Sequence, residues 1–282
     1  MKTGLILEGG AMRGLFTAGV LDVLMENDVS FDGVIGVSAG AAFGCNYKSK
    51  QSGRVLRYNK QYCKDPRYCS FRSLIKTGDL YGADFCYRQL PETLDPFDDA
   101  TFAADPTEFY VVCTDVATGE PVYQKLEQSN GVALDWLRAS ASMPLVSTPV
   151  EIDGKKMLDG GIADSIPVAY FEKIGYDRNV IILTQPQGYQ KKKNSALPLM
   201  RLALHKYPAI VKAMQRRHEV YNETLDYIAG LEAEGKALVI RPPQTLQVGH
   251  VEHDPERLQT AYDLGRAEGE RRFAEIVEFL KG

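Results

Sequence analysis

The sequence has only 4 histidines, a single tryptophan, no close Cys-x-x-Cys pair and no excess of basic residues. Each shortage removes a class of function. Its 5 cysteines (Cys45, Cys63, Cys69, Cys86 and Cys113) are odd in number and scattered. They predict neither a disulfide framework nor a metal site, and they suit a reducing compartment. Lysine and arginine total 33 against 37 acids, a formal net charge of −4. That balance cannot neutralise a nucleic acid, so none is expected as a partner. No apolar run approaches the roughly 20 residues of a membrane span. The short stretch Leu5-Ile6-Leu7 meets an acid and two glycines too soon for a signal peptide. A soluble, cytoplasmic protein is the expectation.

What is present is ordinary in bulk: 44% hydrophobic and 25% charged residues over 282 positions. That length predicts a core domain over 1–185 and a mostly helical region over 186–282 packed on it. Leu5–Leu7 reads as a buried strand, followed by a glycine-rich turn and a helix with Leu15, Ala18, Leu21, Leu24 and Met25 at helical spacing. Val34–Val37 is a second strand, again running into a helix. Two such units in under fifty residues predict an α/β fold with a mainly parallel central sheet flanked by helices in three layers.

From 46 to 107 the pattern predicts helices interrupted by loops, rich in Tyr and Arg, a mixture that covers a core or lines a pocket for an amphiphile. Glu108–Thr114 is a strand that turns at Thr118-Gly119-Glu120 into a hairpin. Asp135–Met143 predicts a helix stopped before Pro144, with Trp136 in the core. A second hairpin turns at Asp153-Gly154 and ends on Asp159-Gly160-Gly161. Asn179–Thr184 is a further strand. Lys191-Lys192-Lys193 reads as a solvated surface, the alternative being contact with an anionic membrane. Val211, Met214, His218, Tyr221, Leu225 and Ile228 mark an amphipathic helix, and Ala237–Arg241 a short strand. A last helix opens with Asp254 as N-cap and Pro255 in the first position.

Three glycine-framed elements carry chemistry. Gly36-Val37-Ser38-Ala39-Gly40 sits between a strand and a helix, the setting that holds a serine hydroxyl exposed in a tight turn. Gly9-Gly10-Ala11-Met12-Arg13-Gly14 fails as a dinucleotide fingerprint, because Ala11 stands where a glycine is needed, and lacks the lysine of a P-loop. It reads either as an oxyanion loop presenting the amides of Gly10 and Ala11 or as a plain strand-to-helix turn. Asp159-Gly160-Gly161 could offer a carboxylate base or be an ordinary turn. A histidine triad would need His205, His218, His250 or His253. Ser38 lies too close to the first strand for that architecture, and none of the four is framed by a glycine loop.

In order and spacing these elements resemble those of patatin-like phospholipases, across about residues 4–184. Ala139–Pro144 is similar to the Ala-Ser-rich segment preceding the aspartate in that family, and the C-terminal extension resembles a bacterial branch. The resemblance implies a cofactor-free serine lipid acyl hydrolase of phospholipase, lysophospholipase or carboxylesterase type, acting through an acyl-enzyme. Ser38 would be nucleophile and Asp159 base, with Gly10, Ala11 and Arg13 serving the oxyanion. Gly9, Gly14, Gly36, Gly40, Gly160 and Gly161 would support the motifs. Two residues depart from the family pattern: Glu8 replaces a common aspartate, and Ala11 replaces a glycine. The oxyanion loop then requires a negative φ at Ala11 or tolerated strain. An acyltransferase, or a lipid-binding protein on a vestigial site, are the alternatives on the same architecture.

Overall fold

In the computed structural model, which describes residues 1–281, strand β1 (Lys2–Leu7) lies parallel to β2 (Gly33–Val37), Leu5 opposite Val34 and Leu7 opposite Gly36. The two are joined through helix α1 (Gly14–Glu26). Every β2 residue is buried, so the strand is apolar throughout rather than alternating, as a parallel strand covered on both faces must be. Helices α2 (Ala39–Lys48), α3 (Arg54–Tyr62), α4 (Phe71–Thr77) and α5 (Asp99–Ala104) fill the predicted helical stretch. Between the last two, Phe85–Leu94 forms a wide π-type helix that accommodates Pro91.

Strand β3 (Glu108–Asp115) pairs parallel with β2 and antiparallel with β4 (Pro121–Leu126). Helix α6 runs over Val132–Ser140, three residues earlier than its sequence pattern at both ends. Ala141 and Ser142 fold back onto the carbonyls of Arg138 and Ala139, and the Ser142 hydroxyl also donates to Arg138, which tightens and ends the helix. Trp136 is buried as expected. Strands β5 (Val150–Ile152) and β6 (Lys155–Asp159) form the second hairpin, turning at Asp153 and Gly154, both with positive φ.

Helix α7 (Val168–Lys173), strand β7 (Tyr176–Ile182), helices α8 (Leu197–Ala203) and α9 (Pro208–Ala233), strand β8 (Ala237–Ile240) and helix α10 (Pro255–Lys281) complete the chain. The sheet order is β5-β6-β3-β2-β1-β7-β8, with β4 also on β3. β8 pairs parallel with β7, so the C-terminal region adds a strand to the same sheet. Leu5, Leu7, Val34, Val180 and Ile182 face one core with Phe16, Tyr47 and Tyr262 of the α1, α2 and α10 layer. Ile6, Ile35, Ile181 and Val239 face the other, with Phe171 of α7 and Tyr221 and Ile228 of α9. These are the three layers that the strand–helix alternation predicts. Among the described residues no helix is long and apolar enough to cross a membrane.

Candidate active site

β2 ends at Val37 and α2 begins at Ala39, leaving Ser38 alone in the turn with φ 55° and ψ −123°. Positive φ is a strained conformation for serine, of order 1–3 kcal/mol, and must be held by its surroundings. Two close approaches hold it. A Cβ on Gly36 would come within 2.6 Å of the Ala41 amide nitrogen, and one on Gly40 would collide with the Leu7 carbonyl. Only glycine lets α2 begin this tightly against β1 and β2.

A further clamp comes from Ser140, to which the sequence pattern assigned no role. Its hydroxyl accepts the Ser38 amide at 2.9 Å and donates to the Val112 carbonyl at 2.6 Å, with the side chain fully buried. Ser140→Ala would leave one buried donor and one buried acceptor unpaired. Denaturant unfolding should show a loss of roughly 2–4 kcal/mol. The loosened elbow should also lower kcat, whereas Ser140→Thr, which keeps the hydroxyl, should restore part of it.

Asp159 ends β6 on the neighbouring side of the sheet. Its amide donates to the Ser142 carbonyl, and its carbonyl accepts the Thr114 hydroxyl, so its backbone is fixed on two sides. Its carboxylate is 2% exposed. Oδ2 accepts the Ser38 hydroxyl at 2.7 Å, and Oδ1 accepts the Gly161 amide at 2.7 Å. A Cβ on Gly160 would collide with the Val112 carbonyl, so glycine there lets the turn approach β3. Desolvation is the largest influence on the carboxyl and pushes its pKa up to about 6, against the lowering effects of Ser38, Arg217 and the Gly161 amide. An ordinary aspartate near 3.9 is too weak a base for neutral pH. Burial moves this one toward the range that proton transfer from a hydroxyl requires.

The Gly9–Gly14 turn packs against the elbow: a Cβ on Gly9 would lie 3.1 Å from that of Ser38, and one on Gly14 would meet Phe43 and Ala39 of α2. Among the described residues, neither the Gly10 nor the Ala11 amide donates within the chain, whereas the Arg13 amide closes the turn on the Gly10 carbonyl at 3.1 Å. Only the side chain of Arg13 is therefore left to act. Ala11 has φ 48°, so the turn takes the strained alternative rather than the negative φ. Ala11→Gly should relieve of order 1 kcal/mol and raise Tm by a few degrees without loss of activity. An unchanged or lower Tm would show that the turn carries no such strain. Glu8 is a brace: it accepts the Thr184 amide and hydroxyl and, at 2.6 Å, the Tyr221 hydroxyl from α9.

Ser38 and Ala11 open onto a cavity of about 510 Å³, within the usual size of small-ligand sites. Its walls include Phe43, Tyr58, Tyr87, Leu90, Leu137 and Met143, drawn from α2, α3, the π-type helix, α6 and the irregular stretch after α6. Arg54 and Arg138 also line it, but each is spent on an aspartate, Asp95 and Asp79 respectively.

No histidine is hydrogen-bonded to Ser38 or Asp159 among the described residues. His205 pairs with the Leu202 carbonyl and His253 with that of Cys63, while His218 lies on α9 with a buried, unpartnered Nδ1. His250 stands at the cavity wall. Lys192 and Lys193 are exposed as expected. Lys191 departs from the expected solvated surface: its Nζ sits 4.0 Å over the Tyr221 ring, because Asn222 of α9 bonds both its amide and its carbonyl and draws the loop inward.

The model of the patatin-like phospholipase family matches residues 5–172, more than half of the chain. The chain belongs to the patatin-like phospholipase family, a class of lipid hydrolases. A second model, a domain of unknown function (DUF6363), matches residues 207–281, the part that supplies α9, β8 and α10. An uncharacterised protein of Escherichia coli, YjjU, is 28% identical over 99% of this chain and 79% of its own length. The lysophospholipase nte1 of Aspergillus oryzae is 26% identical over 67% of this chain, which spans only 12% of that protein. An uncharacterised NTE family protein of Mycobacterium bovis is 23% identical over 64% of this chain and 48% of its own length. Among solved structures, VipD from Legionella pneumophila superposes with a TM-score of 0.47 at 14% identity, covering 96% of this chain and 66% of the other.

Proposed function

We propose that this chain is a serine acyl-ester hydrolase acting on lipid esters through a Ser38–Asp159 dyad. The observation that carries this reading is the 2.7 Å hydrogen bond from the Ser38 hydroxyl to a desolvated carboxylate, at the mouth of an apolar cavity. The family and the relative named a lysophospholipase support a lipid substrate.

Ser38 Oγ bonds to the ester carbonyl carbon as its proton passes to Asp159. Charge then gathers on the former carbonyl oxygen, which the Gly10 and Ala11 amides receive. A single such donor typically contributes about 3–4 kcal/mol. The carbon–oxygen bond to the alcohol breaks, and the alcohol leaves with the proton from Asp159. Water gives a proton to the same carboxylate and attacks the acyl-enzyme. Ser38 recovers its proton as the fatty acid departs. The acyl chain lies in the cavity, each buried methylene contributing about 0.8 kcal/mol.

A fluorophosphonate should label one residue, Ser38, as mapped by mass spectrometry. A panel of esters should leave their acyl groups on the same serine. Labelling elsewhere, or none on folded protein, would remove the proposal.

A further inference from the structure

Two side chains of α9 reach the loops that carry the proposed chemistry. Arg217 and Tyr221 are one helical turn apart and share a face of the helix. Tyr221 is buried and Arg217 partly so. They go to different loops. The Arg217 guanidinium donates to the Gly161 carbonyl, which also accepts the Ser165 hydroxyl at 2.9 Å. The Gly161 amide in turn donates to Asp159 Oδ1 at 2.7 Å. A Cβ on Gly161 would lie 3.1 Å from that oxygen and 3.3 Å from Arg217 Nη2, so guanidinium and carboxylate flank the same glycine. Tyr221 donates to Glu8 Oε1 at 2.6 Å. Glu8 directly precedes Gly9 and Gly10, and its other oxygen accepts the Thr184 amide at 2.6 Å and hydroxyl at 3.1 Å. A Cβ on Gly10 would come within 2.7 Å of the Thr184 hydroxyl oxygen, so Thr184 packs against the oxyanion turn itself.

Both loops need holding. Each carries two glycines in succession, Gly9-Gly10 and Gly160-Gly161, and glycine has the widest backbone freedom of any residue. A displacement of about 1 Å at either loop is enough to cost rate. A helix of 26 residues is a rigid support common to the two. Arg217 also acts by its charge, because its hydrogen bond to a carbonyl leaves that charge unneutralised. The charge favours the ionised form of Asp159 and opposes the desolvation that pushes the carboxyl up to about 6. Two other titratable groups sense Asp159: Cys113, opposite it on β3, and Tyr87 of the π-type helix. Burial pushes both up, so both are neutral near pH 6. Arg217 reaches two further groups. After burial it is the first influence holding Lys191 down to about 8, and with Arg13 and Lys191 it adds to the desolvation that lowers His250 at the cavity wall.

We propose that α9 positions both halves of the site: Arg217 sets the base Asp159 through Gly161, and Tyr221 sets the oxyanion turn through Glu8. The inference rests on the acyl-hydrolase reading for what the two loops do. Neither side chain lines the cavity, so both are positioning residues that act through the loops they hold. Both lie within residues 207–281, the match to the domain of unknown function, and outside residues 5–172. The C-terminal region thereby takes part in the chemistry, although the dyad and the oxyanion turn belong to the other match.

The test uses the full chain and a monoacyl lipid ester. Arg217→Met should lower kcat roughly 10- to 100-fold with KM little changed. The midpoint of kcat/KM against pH should also move upward from about 6, because the cation removed had favoured the ionised base. The loss in kcat/KM should therefore be larger at pH 6 than at pH 8. Arg217→Lys should restore the midpoint and part of kcat, and the upward shift should persist in a His250→Asn background. Tyr221→Phe should lower kcat to a similar extent with the midpoint in place, since its route runs to the oxyanion turn. Arg216→Met, at an exposed position of the same helix, controls for lost charge and should change neither.

If α9 only stabilises the fold, Arg217→Met and Tyr221→Phe would lower the melting temperature yet keep wild-type kcat and midpoint, and the proposal would be overturned. A second readout needs no turnover. In an NMR titration of isotope-labelled aspartate, assigned against Asp159→Asn, the Asp159 carboxyl should titrate higher in Arg217→Met and return in Arg217→Lys. A carboxyl that does not move overturns the role of Arg217 even where activity falls. If the wild-type protein cleaves no ester, the hydrolase reading fails, and the carboxyl titration still decides whether α9 reaches Asp159.

Discussion

Ser38→Ala should lower kcat on a monoacyl lipid ester by roughly 10⁴- to 10⁶-fold, the range over which a serine nucleophile acting as a unit with its base is lost. Substrate binding should survive, because the cavity walls are untouched. The fold should survive as well: alanine at 38 keeps the amide that Ser140 holds and carries no larger side chain into the turn. Some acceleration over water should remain from the Gly10 and Ala11 amides, since oxyanion donors act independently of the nucleophile. Activity within tenfold of wild type would place the nucleophile elsewhere and take the dyad with it. The Ser38→Ala protein also leaves Asp159 without its hydroxyl donor, so its carboxyl should titrate higher still.

Asp159→Asn should move activity and stability in opposite directions. As the proposed base, the carboxyl must be ionised, so kcat/KM should rise with pH through about 6 and level off above it. The asparagine variant should lose roughly 10³- to 10⁵-fold. For stability, the folded-state pKa of about 6 lies above the ordinary 3.8. Near pH 3 the group is protonated in both states and costs nothing. Between the two values the folded protein keeps a proton that the unfolded chain releases, so stability falls as pH rises and the loss is complete above pH 6. Two units amount to as much as about 3 kcal/mol. Asparagine carries no charge and escapes this loss. Melting curves of the two proteins should therefore converge in acid and separate toward neutrality, the variant melting higher. Parallel curves would deny the desolvated carboxylate its role.

The parts of this molecule that backbone geometry forces on the chain were legible in its letters. Gly36 and Gly40 announce a turn that no side chain could share, and Asp159-Gly160-Gly161 announces another. The structure brings the two turns to hydrogen-bonding distance. Strands β1, β2, β3 and β7 were legible because burial on both faces leaves only apolar, β-branched runs. Ser140 escaped notice because a single hydroxyl at the end of an Ala-Ser helix has no spacing that marks it as a clamp. Lys191 was misread for a related reason: a lysine triplet reads as surface, and the Tyr221 ring and Asn222 amide that draw the first lysine inward come from thirty residues later. The strain at Ala11 was half legible: alanine in place of a glycine leaves a negative φ or tolerated strain, and only the structure, with φ 48°, chooses the strain. The cavity had no motif at all. Its walls are assembled from short helices and a π-type turn whose relation to Ser38 exists only in three dimensions.

The placement of β8 beside β7 has a consequence for how this chain could be shortened. β7 is buried from Asn179 to Ile182 and apolar from Val180 onward, and its outer row of amides and carbonyls pairs with β8 from Ala237 to Ile240. A chain cut near residue 185 would retain Ser38, Asp159 and the oxyanion turn. It would also present an uncovered, flat, hydrophobic strand edge, the kind that recruits strands from other molecules. The C-terminal region thus covers a sheet edge, and a chain cut there should aggregate even though it keeps the proposed dyad.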